Sequence, residues 1–226
     1  MTLLYAKRAV DVDLPVWTGH YLDSPQIHPF DYDVRAARAL LQEAGYIDTD
    51  GDGYVDYTGA DGVQHPVTLT LVTNDTTENA LRRQSANLIA ESLAQIGIAV
   101  NVQVTDWATC VSCLSSGSYD LLLTGIMVPE NPDPAFFCGS GHAGNYNGYY
   151  NQSVEDALAQ ANAAQTREEW ETALQSAQQM MVYECATISL FYRCHALIAD
   201  SRIVGIKPQG ELRAFAGIEN WTFYME

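Results

Sequence analysis

The sequence predicts an α/β protein, a mixed and mostly parallel sheet with helices on both faces. Three observations predict it. Between positions 67 and 126, strand-like runs alternate with segments of helical period in the order strand, helix, strand, helix, strand. Alternation of that kind favours right-handed crossovers and a parallel sheet covered on both sides. Hydrophobic residues make up 47% of the 226-residue chain and charged ones 17%, enough apolar surface to offset the conformational entropy of one sizeable core.

Residues 1–30 carry Pro15, Pro25 and Pro29 among polar and aromatic residues and show no sustained period, so they read as an extended lead-in crossing a surface. A helix begins at Asp33, a good cap. Val34, Ala37, Leu40, Leu41 and Ala44 fall on one face, and Gly45 supplies the stop. After a polar loop rich in aspartate and glycine, Val67 to Thr73 alternates as a strand does. Residues 77–96 form the longest helical candidate, with Leu81, Leu88, Ile89, Leu93 and Ile96 at helical spacing and Gly97 as terminator. Ile98 to Val104 is the second strand, Asp106 to Leu114 a short helix, and Tyr119 to Ile126 a third, almost wholly apolar strand. Ligands of such sheets tend to sit beyond the carboxyl ends of the strands.

The segment from Met127 to Gln152 is irregular, dense in Pro, Gly, Asn, Tyr and Phe, and longer than ordinary connections. Its aromatic residues argue against disorder and for a functional loop. Two helices follow, near 153–164 and 166–183, the second opened by a capping box of Thr166 and Glu169. Thr187 to Tyr192 reads as a fourth strand, and the tail to Glu226 has no apolar core of its own. The expected organisation is therefore a lead-in at 1–30, an α/β lobe at 31–192 and a C-terminal segment at 193–226. There is no internal repeat and no low-complexity tract.

The formal charge of -17 would repel phosphate backbones and anionic headgroups, so nucleic acid and membrane surfaces are excluded as natural partners. No stretch approaches the roughly 18 uninterrupted apolar residues of a spanning helix. The opening residues place an apolar patch before their positive charges, the reverse of a secretory signal's order; the protein is either cytoplasmic or preceded by more chain. Five cysteines cannot all pair with one another, which leaves the compartment open.

Five short motifs fall in sequence: Tyr32 through Tyr46, Asp50-Gly-Asp-Gly, Ile96-Gly-Ile with Asp106-Trp107, Gly117-Ser-Tyr-Asp-Leu, and Asn131-Pro-Asp-Pro-Ala-Phe-Phe. In order and spacing they resemble the family 5 extracellular solute-binding proteins, the oligopeptide- and dipeptide-binding components of ABC importers. The resemblance covers about residues 9–206 and implies one lobe of the periplasmic-binding-protein fold. In that family two lobes close on a ligand like a hinged trap, and this chain looks like the second lobe together with the segment that returns toward the first. The resemblance implies an extracytoplasmic setting, periplasmic or anchored as a lipoprotein on the outer face of the membrane. As partners it implies a captured solute, a membrane permease and a first lobe that carries the signal and the lipid-anchoring cysteine.

The same resemblance marks a carboxylate in the long loop as the group that pairs with a peptide's α-ammonium. Glu130 is the best match, and Asp133 is the reserve, because the loop is one residue short of the family's register before Phe136. Asn131 belongs to the same stretch. Phe136, Phe137, Tyr146 and Tyr149, with Tyr150, serve as cleft lining or lobe packing. Dipeptide-binding members place an arginine shortly before the long helix, where this chain reads Thr73-Asn-Asp-Thr-Thr-Glu and offers no cation. The ligand is then a longer peptide, or one of the nickel complexes, opines or oligosaccharides that relatives carry on the same scaffold.

Asp48, Asp50, Asp52 and Asp56 space their carboxylates as a calcium loop does, although the twelfth position is Gly59 and lacks the completing Glu. A weakly bound calcium competes there with a plain Asx-Gly turn, and no other cofactor is implied. Cys110 and Cys113 have redox or zinc spacing, but Cys110 lies a turn inside its helix, which fits a local disulfide better and small buried hydrophobes best. Cys138 with His142, and Cys194 beside His195, are the nucleophile and base neighbours a thiol hydrolase would need; neither has an identifiable oxyanion site. Trp107 and Trp170 read as core. Binding without catalysis is the expected function, with a thiol hydrolase and a calcium-organised surface module as the competing readings.

Overall fold

The parallel core of the fold is set by residues 67–123, where the expected alternation is realised. A computed structural model describes residues 9–16, 22–24, 27, 30–75, 80–128, 133–193, 198–207, 215 and 217–224. Strand β1 is Ala9–Asp11, helix α1 Val34–Glu43, and β2 (Asp56–Thr58) and β3 (Gln64–Pro66) form a small antiparallel hairpin. Then come β4 (Thr68–Asn74), α2 (Ala80–Ala94), β5 (Ala99–Thr105), α3 (Trp107–Ser116) and β6 (Leu121–Leu123). The order across the sheet is β5-β4-β6, all parallel. The chain crosses from β4 to β5 on one side and from β5 to β6 the other way. Right-handed crossovers in opposite directions place α2 and α3 on opposite faces.

Local signals account for the boundaries. Asp33 accepts the amides of Arg35 and Ala36 at the start of α1, and Asp106 accepts the amide of Thr109 at the start of α3. Gly97, with φ of 85°, turns the chain from α2 into β5 where a Cβ would stand 3.1 Å from Val55. The β6 ladder is shorter than the apolar run implied. It spans three residues, held by the Thr70 amide on Asp120 Oδ2 at 2.7 Å and by Thr73 Oγ1 on the Leu123 carbonyl at 2.8 Å.

After β6 come a short α4 (Ala135–Cys138), α5 (Gln152–Ala163) and α6 (Arg167–Tyr183), then β7 (Phe191–Arg193), β8 (Ile203–Val204) and β9 (Thr222–Phe223). The capping box of Thr166 and Glu169 is formed. The main core belongs to this helical part: Val154, Leu158, Leu174, Ala177 and Met181 of α5 and α6 are buried together with Phe137 of α4.

The fourth expected strand is realised over Phe191–Arg193 as β7, which pairs antiparallel with β1, while β8 pairs antiparallel with β9. The described part of the lead-in does not cross a surface. Leu14, Val16, Leu22 and Ile27 are buried in the same core as α5 and α6, so the periodicity-free segment is an integral layer. Conversely, α1 buries none of its residues and leaves Leu40 62% exposed, because its anchorage is polar, Arg38 Nε donating to the Gln95 carbonyl at 2.9 Å. No helix among the described residues is long and apolar enough to cross a membrane.

Candidate functional site

The parallel strands end on one side, and three segments follow there. Asn74 and Asp75 close β4, Asp106 and Trp107 follow β5, and Gly125 to Met127 follow β6. Trp107 is the first residue of α3 and is 53% exposed, which corrects its assignment to the core. Ile126 is exposed, and Met127 is 74% exposed. Large apolar side chains held open beside the carboxyl ends of a parallel sheet are what a ligand crevice presents. Beneath them the strand end is polar and tightly made: Thr73 and Asn74 are both buried, and Asp75 holds a 7% exposed carboxylate against Arg83.

The loop from 127 to 152 is organised by hydrogen bonds the sequence reading did not single out. Asn145 donates from Nδ2 to the carbonyls of Gly139 and Tyr149, at 3.1 and 2.7 Å, and its Oδ1 accepts the Tyr149 amide at 2.8 Å. One asparagine thereby closes a loop that lacks a ladder of its own. Glu130 and Asn131 lie outside the described residues. Asp133 is exposed and precedes the short α4, its Oδ1 accepting the Ala135 amide at 2.9 Å. Phe137 is buried in the core and carries Phe136 edge-on at 5.0 Å, which fits packing, one of the two roles expected of it. Phe136 is half-buried and lies so close over Gly144 that a Cβ there would be 2.3 Å from its ring.

Tyr149 is likewise drawn inward. It packs on the core, and its hydroxyl donates to Glu184 Oε2 at 2.6 Å, beside the Asn151 amide on the other oxygen. Burial, then the Glu184 carboxylate, push its phenol well above the ordinary tyrosine range. Tyr146 remains 45% exposed, and its carbonyl accepts the Tyr119 hydroxyl at 3.4 Å, which ties the loop to the residues leading into β6. Of the residues expected to line a cleft, Tyr146 thus keeps an open surface while Phe137 and Tyr149 serve the fold.

Cys138 is fully buried, and its Sγ donates to the Pro134 carbonyl at 3.0 Å inside its own helix. Burial, followed by the charges of Asp133 and Glu155, pushes its thiol up to about 12, so a thiolate nucleophile is disfavoured at neutral pH. Cys194 and His195 lie outside the described residues. Cys110 is buried, and desolvation raises its thiol as well. Neither Cys110 nor Cys138 presents the activated thiol that a hydrolase requires.

In the aspartate loop, oxygens of Asp48, Asp50 and Asp56 come within 4.8 Å of one another. Asp52 stays outside that group and accepts the Tyr54 amide at 2.8 Å, so the four-carboxylate set shrinks to three. The three also serve the loop. Asp48 accepts the amides of Gly51 and Gly53, and Asp50 accepts that of Asp52. Asp56 is buried, and the Thr49 hydroxyl and amide hold its carboxyl below the ordinary range. Three hard oxygen donors fit a calcium ion, and the same oxygens already close Asx turns.

A parallel sheet of order β5-β4-β6 with helices packed on it is the core of a lobe of the periplasmic-binding-protein type. The family described as bacterial extracellular solute-binding proteins, family 5 Middle, matches residues 2–148, and the chain belongs to that family. It is 25% identical to the oligopeptide-binding protein AppA of Bacillus subtilis over 207 residues, which is 89% of this chain but 37% of AppA. The chain therefore spans well under half the length of that relative. The structure of AppA with a nonapeptide superposes with a TM-score of 0.77 at 22% identity, over 99% of this chain and 44% of AppA's. NikZ of Campylobacter jejuni, solved with Ni(L-His), gives 0.73 at 18% identity over 98% of this chain and 45% of its own. An oligopeptide-binding protein of Thermotoga maritima with mannohexaose bound gives 0.71 at 20% identity, covering 85% of this chain and 38% of that one. At these identities the structural likeness establishes the fold.

Proposed function

We propose that this chain is the substrate-capturing lobe of an ABC-importer solute-binding protein whose cargo is peptides, and that it binds without catalysing. The observation that carries the reading is the carboxyl edge of the sheet, where Trp107, Ile126 and Met127 stand exposed above a buried polar strand end in a chain of family 5. A peptide would supply both what the aromatic and aliphatic rim covers and what the polar strand end pairs. Glu130, with Asp133 in reserve, is the carboxylate assigned to the peptide's ammonium. The buried thiol of Cys138, pushed up to about 12, supports binding over thiol chemistry. The setting is outside the cytoplasm, a first lobe closes over the solute, and the loaded form is presented to a membrane permease. Calcium on Asp48, Asp50 and Asp56 would brace the aspartate loop, away from the sheet's carboxyl edge.

Native mass spectrometry of the full-length protein, purified without added ligand, tests this reading directly. A co-purified family of peptides, displaced by excess synthetic peptide with a rise in melting temperature, is the expected result. Retention of a nickel complex, an opine or an oligosaccharide, with no thermal response to peptides, would reject the peptide assignment and leave the binding lobe standing.

A further inference from the structure

Binding gives the thiols of α3 no role, yet they occupy the face by which that helix is held. Cys110 is the residue of α3 that is buried, Cys113 and Leu114 are half-buried beside it, and the rest of the helix is exposed. Positions 110, 113 and 114 share one side of a helix, so they are its inward stripe. A helix this short is marginal alone and depends on its packed face. Here that face is two cysteines and a leucine. The last turn has little else to hold it: Ser115 Oγ donates back to the Val111 carbonyl at 2.9 Å and Ser116 Oγ to that of Cys113 at 3.3 Å, before Gly117 turns the chain with φ of 66°. Trp107 opens the same helix and is 53% exposed in the rim. What secures α3 therefore secures the largest side chain of the rim.

We propose that Cys110 and Cys113 form a reversible disulfide across one turn of α3, which braces the helix against the sheet and holds Trp107 for the solute. The proposal rests on the solute-binding reading above, which also sets the protein outside the cytoplasm, where disulfides persist. Residues three apart on a helix have Cα atoms about 5 Å apart, inside the roughly 4.4–6.8 Å of disulfides. Their Cβ atoms are about 5–6 Å apart, against the roughly 3.5–4.5 Å required. Tightening toward 3₁₀ geometry, in which such residues eclipse, closes that gap, and it is common in the last turn of a helix, which Cys113 opens. Cys138, in the helical core, and the exposed Cys185, after α6, belong to other elements. The oxidant is a disulfide of a small or protein thiol. Burial raises the Cys110 thiol above its ordinary range, so the half-exposed Cys113 reacts first. It loses its proton and attacks one sulfur of the oxidant, whose S–S bond breaks, and the first thiol leaves with that proton. Cys110 then attacks Cys113 Sγ in the mixed disulfide, and its proton departs with the second thiol. The cysteine pair gives up two electrons, and one external disulfide becomes two thiols.

The test equilibrates the full-length protein in glutathione buffers of rising oxidised fraction, alkylates it with iodoacetamide under denaturing conditions and maps it by mass spectrometry. The peptide carrying Cys110 and Cys113 is expected to pass in one step from doubly alkylated to unmodified and internally bonded. Alkylation of both at every ratio, glutathione retained on Cys113, or pairing of either with a third cysteine overturns the disulfide. Hydrogen exchange over residues 107–116 reads the brace. Its amides are expected to exchange about tenfold faster after reduction, and the Cys110→Ser/Cys113→Ser double variant is expected not to respond to reductant. Equal exchange in the oxidised and reduced wild type overturns the brace. Pentaalanine is expected to bind about threefold more weakly after reduction, with the double variant again indifferent. Equal affinities overturn the link to Trp107. If neither form binds pentaalanine, the peptide reading fails while mass and exchange still decide the disulfide and the brace. The link is then decided with the solute that co-purifies, a loss on reduction supporting it and equal affinity overturning it.

Discussion

The helical part and the sheet part of this chain divide the work of the fold unequally. Around α5 and α6 the buried residues are almost all apolar and come from four separate stretches of sequence, the lead-in included. Around the sheet the buried set is smaller and mixed: Leu71, Val72, Ala86 and Cys110 stand beside Thr73, Asn74 and Ser85. The first region is built to stay closed. The second spends its burial on holding polar groups at the strand ends, beneath a rim of exposed Trp107, Ile126 and Met127. The difference teaches where to look for each kind of effect: stability responds to the hairpin, ligand to the sheet edge.

The comparison breaks most easily at Met181, which is fully buried among α5, α6 and the lead-in. Met181→Ala in the full-length protein is expected to cost about 2–5 kcal/mol in urea denaturation, with ligand affinity of the folded protein unchanged. A loss under about 0.5 kcal/mol would mean that the hairpin is not the stabilising half. The reciprocal change is Trp107→Ala. Its ring is 53% exposed, so stability is expected to move by no more than about 0.5 kcal/mol, while affinity for the co-purified ligand falls by about 2 kcal/mol. Equal affinities in a titration would remove Trp107 from the cleft.

Most of the fold was legible because its signals are local. Asp33, Asp106, Thr166 with Glu169, and Gly97 each mark a boundary by their own hydrogen bonds or backbone, and the alternating runs name β4 and β5. What stayed hidden depends on contacts far apart in sequence. The lead-in's described apolar residues Leu14, Val16, Leu22 and Ile27 follow no period, because they are buried in a core shared with helices far along the chain. Trp107 and Cys110 sit one turn apart on α3, and apolarity alone does not say that one faces out and the other in. The bond from Arg82 to Asn74 was not foreseen because a helix returns the arginine to a strand end eight residues back, a relation visible only when α2 is laid on β4. The candidate site was legible as a loop and a strand edge; its side-chain roles were not.

Even the closed region has a flaw that sharpens the contrast. Gln178 on α6 is fully buried, and neither its Oε1 nor its Nε2 has a hydrogen-bond partner among the described residues. An unmade pair of amide hydrogen bonds in an apolar core costs about 1–3 kcal/mol, so Gln178→Met is expected to raise stability by about that much. If the urea midpoint falls instead, the amide is satisfied in solution by a bound water, and the hairpin core is wetter than its apolar lining implies.

The smallest expected effect lies at the aspartate loop, which belongs to neither region. The Thr49 hydroxyl and amide hold the Asp56 carboxyl below its ordinary value of 3.8. A carboxyl depressed in the folded state contributes stability that is present above the ordinary value and lost as pH falls through the lower folded one. Wild type is therefore expected to lose more of its urea midpoint between pH 6 and pH 3 than Asp56→Asn does, the asparagine having no charge to neutralise. Identical losses would show that the carboxylate is as well served by water in the unfolded chain as by Thr49. The loop would then contribute its shape alone, and a bound cation would become the better account of why its carboxylates converge.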